Sequence, residues 1–174
     1  MTNKLWSGLP NQGAAVRYFA LITGILFLLL GIAGFVPGLV SLPAAAPNVT
    51  VDAPRLAVDS GYGYVLGLFP TNVVHNIVHI LVGVLGIAAY TSVGSALTFT
   101  RGYAIAYALI AVMGLFSFSN TTLGVMPIYG NNVWLNGISA ALAAYLGFAK
   151  PTEPNISSTS IPNVEKSSSG SSSV

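Results

Sequence analysis

Charged residues are scarce in this chain. Of its 174 residues, six are Lys or Arg and four are Asp or Glu, which is 6 %, whereas a soluble globular domain carries roughly 25 %. Hydrophobic residues make up 53 % of the sequence. A soluble domain of this size hides only about 70 % of its extended-chain surface, so the composition argues against a cytosolic enzyme. It indicates a protein whose solvent is the lipid bilayer.

Cysteine is absent altogether, and clusters of basic residues are absent too. Without cysteine the chain has no disulfides, no thiolate nucleophile and no iron–sulfur ligands. Without a Lys/Arg cluster it lacks the positive charge that binds a phosphate backbone, so we expect no nucleic-acid partner.

Long apolar runs are what the sequence does have. The first charge-free run covers residues 18–36 and would rise ~28 Å as a helix, enough to cross a ~30 Å hydrocarbon core. A cleavable signal peptide is the alternative for this run, because Ala44–Ala46 resembles a small-residue cleavage site. The apolar runs predict four spans, at about residues 18–38, 72–92, 102–119 and 132–149. We therefore expect an all-α integral membrane four-helix bundle.

The basic residues predict the orientation of these spans. Five of the six fall on one side of a four-span topology, and Arg55 alone falls on the other. The five are Lys4, Arg17, Arg101, Lys150 and Lys166. Since positive residues favour the cytoplasmic side, we expect both termini in the cytoplasm and the protein in a bacterial cytoplasmic membrane or an equivalent inner membrane.

The sequence divides into three segments on this interpretation. Residues 1–16 form a cytoplasmic N-terminal segment, residues 17–149 the membrane domain, and residues 150–174 a serine-rich tail that we predict to be disordered. The long outer loop, residues 41–71, has room for a short hairpin or an interfacial helix. Spans one and three both open on an arginine, and spans two and four on Asn-Val, which suggests a parallel repeat of two hairpins.

The second span carries the most informative pattern. His75 and His79 are four residues apart and therefore share one helix face, which they share with Asn72, Gly83 and Gly86. Glycine lets a neighbouring membrane helix approach closely, so this stripe is predicted to face inward. Asn76 lies at its edge.

The fourth span repeats the layout with Asn136 near its outer end and Trp134 at the membrane boundary. If both stripes face the bundle axis, these residues form a polar pocket in the outer half of the bundle. The candidate pocket residues are His75, Asn76, His79, Trp134 and Asn136.

Buried polar residues in a membrane are costly and often mark function. His75 and His79 could both bind one metal ion, although they could not be the two axial ligands of one haem. The motif is His-Asn-Ile-Val-His, which lacks the glutamate of a zinc protease. A metal ion or a haem is the candidate cofactor, and the sequence requires neither. The alternatives are a proton pathway and a structural role, with neutral histidines bonded to Asn136 or to the backbone.

The chain resembles a family of small bacterial four-span membrane proteins that is catalogued as a domain of unknown function. The resemblance rests on Gly34-Phe-Val-Pro-Gly38, on the segment 67–69 that leads into His75-Asn-Ile-Val-His79, and on residues 132–136. The last motif has asparagine at Asn136 where the family pattern has histidine, which weakens a three-histidine metal site. The resemblance covers about residues 15–149 and implies an integral membrane fold.

Three functions agree with these observations. The first is a non-catalytic membrane protein, such as an accessory subunit, whose partners are the bilayer and a membrane protein or further copies of itself. The second is a metal-, haem- or quinone-type ligand-binding protein centred on His75 and His79. The third is a small transporter or channel, which the lack of charge within the spans disfavours.

Overall fold

The structure is a computed structural model that describes residues 12–42 and 56–149, and the fold there is mostly helical. Four helices follow one another along the chain: α1 (Gln12–Ala33), α2 (Val73–Ala89), α3 (Val93–Gly114) and α4 (Asn131–Ala144). A π-helical turn, Tyr145–Ala149, extends α4. The predicted tail, the Ala44–Ala46 site and residues 1–11 of the predicted N-terminal segment lie outside the described residues, whereas residues 12–16 of that segment form the start of α1.

A small antiparallel sheet lies between α1 and α2, which the prediction of an all-α fold omitted. Its strands are β1 (Val40–Ser41), β2 (Gly63–Val65) and β3 (Phe69–Thr71), in the order β1-β2-β3. Val40 pairs with Val65, and Tyr64 pairs with Pro70. Strands of two or three residues have no readable alternation, so only the general expectation of a hairpin in the outer loop could be drawn from the sequence.

The third helix differs from the predicted third span. It begins at Val93. The preceding residue, Ser92, is its N-cap, because the Ser92 side chain accepts a hydrogen bond from the Ser95 N–H at 3.1 Å. It ends at Gly114 rather than near residue 119. A Cβ at Gly114 would collide with the carbonyl oxygen of Ile128, so the returning connection 115–130 crosses directly over the end of this helix.

The helices form two antiparallel hairpins, α1 with α2 and α3 with α4, and α1 packs against α3 to join them. Glycine makes the first hairpin tight. A Cβ at Gly24 would lie 2.8 Å from the Gly83 carbonyl oxygen and 2.9 Å from the Gly86 backbone, so only hydrogen fits there. Small residues allow this close approach of backbones in membrane helices.

Each hairpin has an arginine at the same end of the bundle. Arg17 Nε donates to the Tyr90 carbonyl at 2.7 Å, just past the end of α2. Arg101 Nε donates to the Gly147 carbonyl at 2.8 Å, in the turn that ends the second hairpin. Both cations therefore satisfy carbonyls at helix C-termini, where positive charge is favourable. We call this the arginine end, and the opposite end, with the sheet and residues 115–130, the sheet end.

The core lies between the two hairpins. Its buried residues occur at matching spacing in α1 and α3 when Arg17 is aligned with Arg101: Val16, Phe19, Ala20, Thr23 and Phe27 in the first helix, and Thr100, Tyr103, Ala104, Tyr107 and Ala111 in the second. The helices α1 and α3 thus bury corresponding positions along their lengths.

Among the described residues, two helices are long and apolar enough to cross a membrane, namely Gly13–Ala33 and Val93–Gly114. The shorter helix α2 is also apolar.

Candidate functional site

Asn72 sets the start of α2 and anchors the sheet end. Its side-chain oxygen accepts from the His75 N–H at 2.9 Å, which caps the helix. Its amide nitrogen donates to the carbonyls of Val58 (2.9 Å) and Val125 (2.7 Å). Asn72 is fully buried, so a single carboxamide fixes both the helix and the two connections that cover it.

His75, Asn76 and His79 lie inside the bundle, within the first two turns after this cap, and all three are buried. The two imidazole rings are 4.3 Å apart between centroids and inclined by 58°. Phe27 of α1 approaches the His79 ring edge-on, with centroids 4.8 Å apart. We call His75, Asn76 and His79 the histidine cluster.

Hydrogen bonding in the histidine cluster is incomplete. The Asn76 side-chain oxygen accepts from the Thr71 hydroxyl at 2.5 Å. Within the described part of the chain, however, the Asn76 amide nitrogen and His75 Nδ1 are buried without a hydrogen-bond partner. Buried polar groups are nearly always paired, so each of these two atoms marks a position where a small polar species would be stabilised.

Backbone carbonyls cover the histidine cluster on the side of the sheet end. Those of Pro70 and Pro127 lie beside His75, and both also accept from the Asn132 amide nitrogen, at 2.7 Å and 3.0 Å. Asn132 is buried at the first turn of α4. Like Asn72, it therefore joins two connections at the sheet end through a single side-chain amide.

Asn136 and Trp134 occupy different faces of α4. Asn136 is 3 % exposed, whereas Trp134 is 69 % exposed, because two positions along a helix turn the side chain by roughly 200°. Trp134 therefore lies on the exposed face of α4 and not beside the buried histidine cluster. Among the described residues, no hydrogen bond joins the Asn136 side chain to either histidine.

A metal ion would find few protein ligands here. Across residues 12–42 and 56–149 no group of three or more His, Cys, Asp or Glu side chains converges. His75 and His79 could supply two imidazoles, and the remaining positions would fall to amide oxygens, carbonyls or water. A metal at these two residues therefore stays a prediction.

A continuous path of aromatic rings leads from the histidine cluster through the core. Phe27, which contacts His79, is edge-on to Tyr107 with centroids 5.2 Å apart. Tyr107 stacks on Tyr103 at 4.0 Å, and the Tyr103 hydroxyl donates to Ser139 Oγ at 2.8 Å. These contacts connect the histidine cluster with the face of α4 that is turned towards α1.

That face borders a groove between α1 and α4 with a volume of about 650 Å³. Its floor is Phe19, Thr23 and Ser139, and its walls are apolar. The walls consist of Ile22 and Leu26 on one side and Ile138 and Leu142 on the other, with Trp134 and Phe69 at the sheet end.

Three tyrosines meet at the sheet end, outside the helices. The hydroxyl of Tyr62 bonds to that of Tyr129 and lies 3.3 Å from that of Tyr64. Burial raises the pKa of Tyr62 from 10.0 to about 12, against the effect of its bond with Tyr129. Burial, and after it the bonds with Tyr62 and Tyr64, also raises the pKa of Tyr129. We call Tyr62, Tyr64 and Tyr129 the tyrosine cluster.

Sequence reasoning did not group these three tyrosines. The only available signal is that each is flanked by glycine, at Gly61, Gly63 and Gly130. Residues as distant in the chain as Tyr62 and Tyr129 meet because the connections 56–66 and 115–130 both fold over the bundle.

The fold is thus that of a mostly helical protein with a buried polar cluster and two helices able to cross a membrane. A family model described as "Domain of unknown function (DUF4383)" matches residues 17–149. The chain belongs to this family. No curated protein and no solved structure matches the chain.

Proposed function

We propose that the chain is a four-span integral membrane protein of the bacterial inner membrane that acts by binding rather than by catalysis, as an accessory subunit of a membrane complex. The observation that carries this proposal is the arrangement of polarity. Large apolar side chains cover the outside of all four helices, while most of the buried polar groups, apart from Thr23 and Thr100, gather at the sheet end. The exposed residues include Ile22, Leu29, Leu81, Leu85, Ile105, Leu109, Ile138 and Leu142.

The lengths of the helices support four spans. The 17 residues of α2 rise about 26 Å, and α4 with its π-helical turn extends over a similar distance. Both are slightly shorter than a ~30 Å hydrocarbon core, and flanking residues or local thinning make up such differences. The tight α1–α2 hairpin would bring α2 into the membrane with α1.

The orientation is supported by Arg17 and Arg101, which share one end of the bundle. With this end in the cytoplasm the chain follows the positive-inside rule, and both termini are cytoplasmic. The sheet and the tyrosine cluster then face the outer side.

The absence of cysteine makes a direct test of this topology simple. Ser60→Cys lies at the sheet end and Gly94→Cys at the arginine end, and both positions are exposed. A membrane-impermeant maleimide should label Ser60→Cys in intact cells and Gly94→Cys only after permeabilisation. Labelling of both in intact cells, or the reverse order, contradicts the proposal.

A non-catalytic role is supported by the lack of carboxylates in the helices. None of α1 to α4 contains Asp or Glu, so general acid or base chemistry would fall to buried histidines alone. An accessory subunit should leave the membrane in mild detergent with a partner at fixed stoichiometry, measurable by native mass spectrometry. Recovery of the free monomer alone contradicts this role.

A second candidate function is ligand binding at the histidine cluster, favoured by the unpartnered His75 Nδ1 and Asn76 amide nitrogen. Its test is the absorption spectrum and metal content of the purified protein, compared with His75→Ala/His79→Ala. Asn131→Ala is the control, because it changes a polar residue at the same end outside the cluster. A colourless, metal-free wild-type protein contradicts the metal and haem versions of this candidate.

A further inference from the structure

The connection between α3 and α4, residues 115–130, exposes large apolar side chains at the sheet end. Leu115 is 67 % exposed, Phe118 80 % and Leu123 88 %, and the connection contains no charged residue. Contiguous apolar surface of this kind is unfavourable in water and indicates contact with a partner or a membrane.

This surface continues an apolar stripe on α3. The exposed members of the stripe, at spacings of three or four residues, are Ile105, Leu109, Val112 and Phe116. Residues spaced in this way share one face of a helix. In the proposed topology this face contacts lipid, and Phe116 and Phe118 extend it beyond Gly114, where α3 ends.

The height of the bundle places the start of the connection inside the hydrocarbon. Arg101 marks the cytoplasmic boundary, because it bonds to the Gly147 carbonyl at the arginine end and its charge is costly deeper in the bilayer. From Arg101 to Gly114, α3 rises only about 20 Å at 1.5 Å per residue. The hydrocarbon core is ~30 Å thick, so α3 ends below the outer boundary of the core.

Hydrogen bonds hold the first part of the connection at the level of the helix end. Ser119 Oγ donates to the Met113 carbonyl at 2.7 Å, in the last turn of α3, and the Ser119 N–H donates to the Phe116 carbonyl at 3.0 Å. The chain therefore stays close to the end of α3 through Phe118 instead of extending towards the outer water.

The backbone of the connection is suited to this depth, because non-helical backbone in a membrane needs protein partners for its polar groups. Most of its N–H groups donate to acceptors within the connection or in the last turn of α3, namely those of residues 115, 116, 119, 120, 122, 124, 125, 126 and 128. Two of its carbonyls also accept from buried asparagines, Val125 from Asn72 and Pro127 from Asn132.

We propose that residues 115–130 form an anchor whose apolar side chains insert among the acyl chains of the outer leaflet. The inference rests on the proposed four-span topology and goes beyond it, because that topology alone would leave the connection in the outer aqueous phase. The partner is phospholipid hydrocarbon, since the apolar surface lies at the depth of the acyl chains and is continuous with the lipid-facing stripe of α3.

Single nitroxide labels can test this depth, because the chain has no cysteine of its own. The full chain is reconstituted in phosphatidylcholine liposomes with a label at Leu115→Cys or Phe118→Cys. Ser60→Cys is the control, since Ser60 is also exposed at the sheet end and lies outside the connection. Ile105→Cys is the reference for the lipid-facing surface of α3. Electron paramagnetic resonance then measures the collisions of each label with oxygen, which dissolves in hydrocarbon, and with a nickel chelate, which stays in water.

We expect the ratio of oxygen to nickel collisions at Leu115 and Phe118 to exceed the ratio at Ser60 by about tenfold or more, because a polar chelate is excluded from hydrocarbon. It should be close to the ratio at Ile105. A ratio equal to that at Ser60 would place the connection in water and overturn the proposal. Few collisions with either reagent would mean that protein, such as a second copy of the chain, covers this surface, which also overturns it.

The membrane topology has a separate measurement, the maleimide labelling of Ser60→Cys and Gly94→Cys. If that labelling follows the expected order while Phe118 is accessible to the nickel chelate, the anchor alone is wrong. If the labelling order itself fails, the topology is wrong, so the two failures are distinguishable.

Discussion

The carboxamide of Asn76 packs directly against Gly34, the first residue after α1. A Cβ at position 34 would overlap three atoms of this carboxamide. The histidine cluster therefore depends on a hydrogen atom where any other residue would carry a side chain. The Gly-Phe-Val-Pro-Gly motif and the His-Asn-Ile-Val-His motif meet at this contact, although the sequence gives no sign that they touch.

Gly34→Ala should therefore destabilise the protein. The added methyl group must displace the buried Asn76, whose side chain also accepts from Thr71. Overpacking of this kind costs about 1–3 kcal/mol, which thermal unfolding in detergent can measure. Gly38→Ala is the control, because a Cβ there meets nothing within 4 Å. If both substitutions have the same small effect, the proposed packing is wrong.

Asn132→Ala should be far more damaging than Asn131→Ala. The buried Asn132 amide donates to the Pro70 and Pro127 carbonyls, and removing it leaves two buried acceptors short of a partner at a cost of about 1–3 kcal/mol each. Asn131 donates one bond, to the Leu68 carbonyl at 3.1 Å, at an exposed position. Its replacement should cost less than about 1 kcal/mol.

Thermal unfolding of the two variants in the same detergent gives the comparison. The neighbouring positions provide a matched pair, with the same residue type and the same turn of α4. A result in which Asn131→Ala is the more destabilised variant would show that Asn132 does not hold the carbonyls that cover the histidine cluster.

The helices could be predicted from the sequence because their signal is local. Charge-free runs mark most of each helix, although not the start of α3, which begins at Val93 ahead of Arg101. The 3.6-residue spacing of His75, His79, Gly83 and Gly86 identifies the face of α2 that the structure buries. The bonds that shape the sheet end could not be predicted. Asn72 reaches Val125, and Asn132 reaches Pro70, and no short motif encodes contacts between residues so distant in the chain.

The candidate site was partly predictable for the same reason. The polar residues of one helix face follow from periodicity. Trp134 was grouped with them because of its expected depth in the membrane, although it lies on a different face of α4. The α1–α4 groove depends on the distance between two helices that are not neighbours in sequence. Such a distance follows from the packing of α1 on α2 and of α3 on α4, which periodicity within one helix does not report.

Arg17→Lys should lower stability while leaving the topology unchanged. The guanidinium donates from Nε to the Tyr90 carbonyl and lies 4.6 Å from the centre of the Tyr90 ring. Lysine keeps the charge that the positive-inside rule requires, but it lacks the planar donor that can bond and stack at once. We expect a loss of about 1 kcal/mol in thermal unfolding, with unchanged maleimide labelling of Gly94→Cys.

Arg101→Lys serves as the comparison. Arg101 is more exposed, and its guanidinium lies 5.4 Å from the centre of the Phe148 ring, so the loss there should be smaller. Altered labelling in Arg17→Lys would show that the specific contacts of Arg17, and not its charge alone, determine the orientation of the first span.

Tyr62→Phe should make the protein less sensitive to alkali. The pKa of Tyr62 is raised from 10.0 to about 12 in the folded protein, so folding favours the protonated phenol. The stability that the tyrosine cluster contributes is therefore fully present below pH 10.0 and is lost as the pH rises through about 12. Across this window the melting temperature of the wild-type protein should fall more steeply than that of Tyr62→Phe.

Thermal unfolding at several pH values across this window measures the effect, and the ultraviolet absorbance of phenolate reports the titration itself. Tyr18→Phe is the control, since it removes a hydroxyl at the arginine end, far from the cluster. Because Tyr129 shares its hydrogen bond with Tyr62, the substitution should also change the alkaline titration of Tyr129. Equal alkaline slopes in wild type and Tyr62→Phe would mean that the three hydroxyls do not act as one network, and the sheet end would then depend on the asparagine bonds alone.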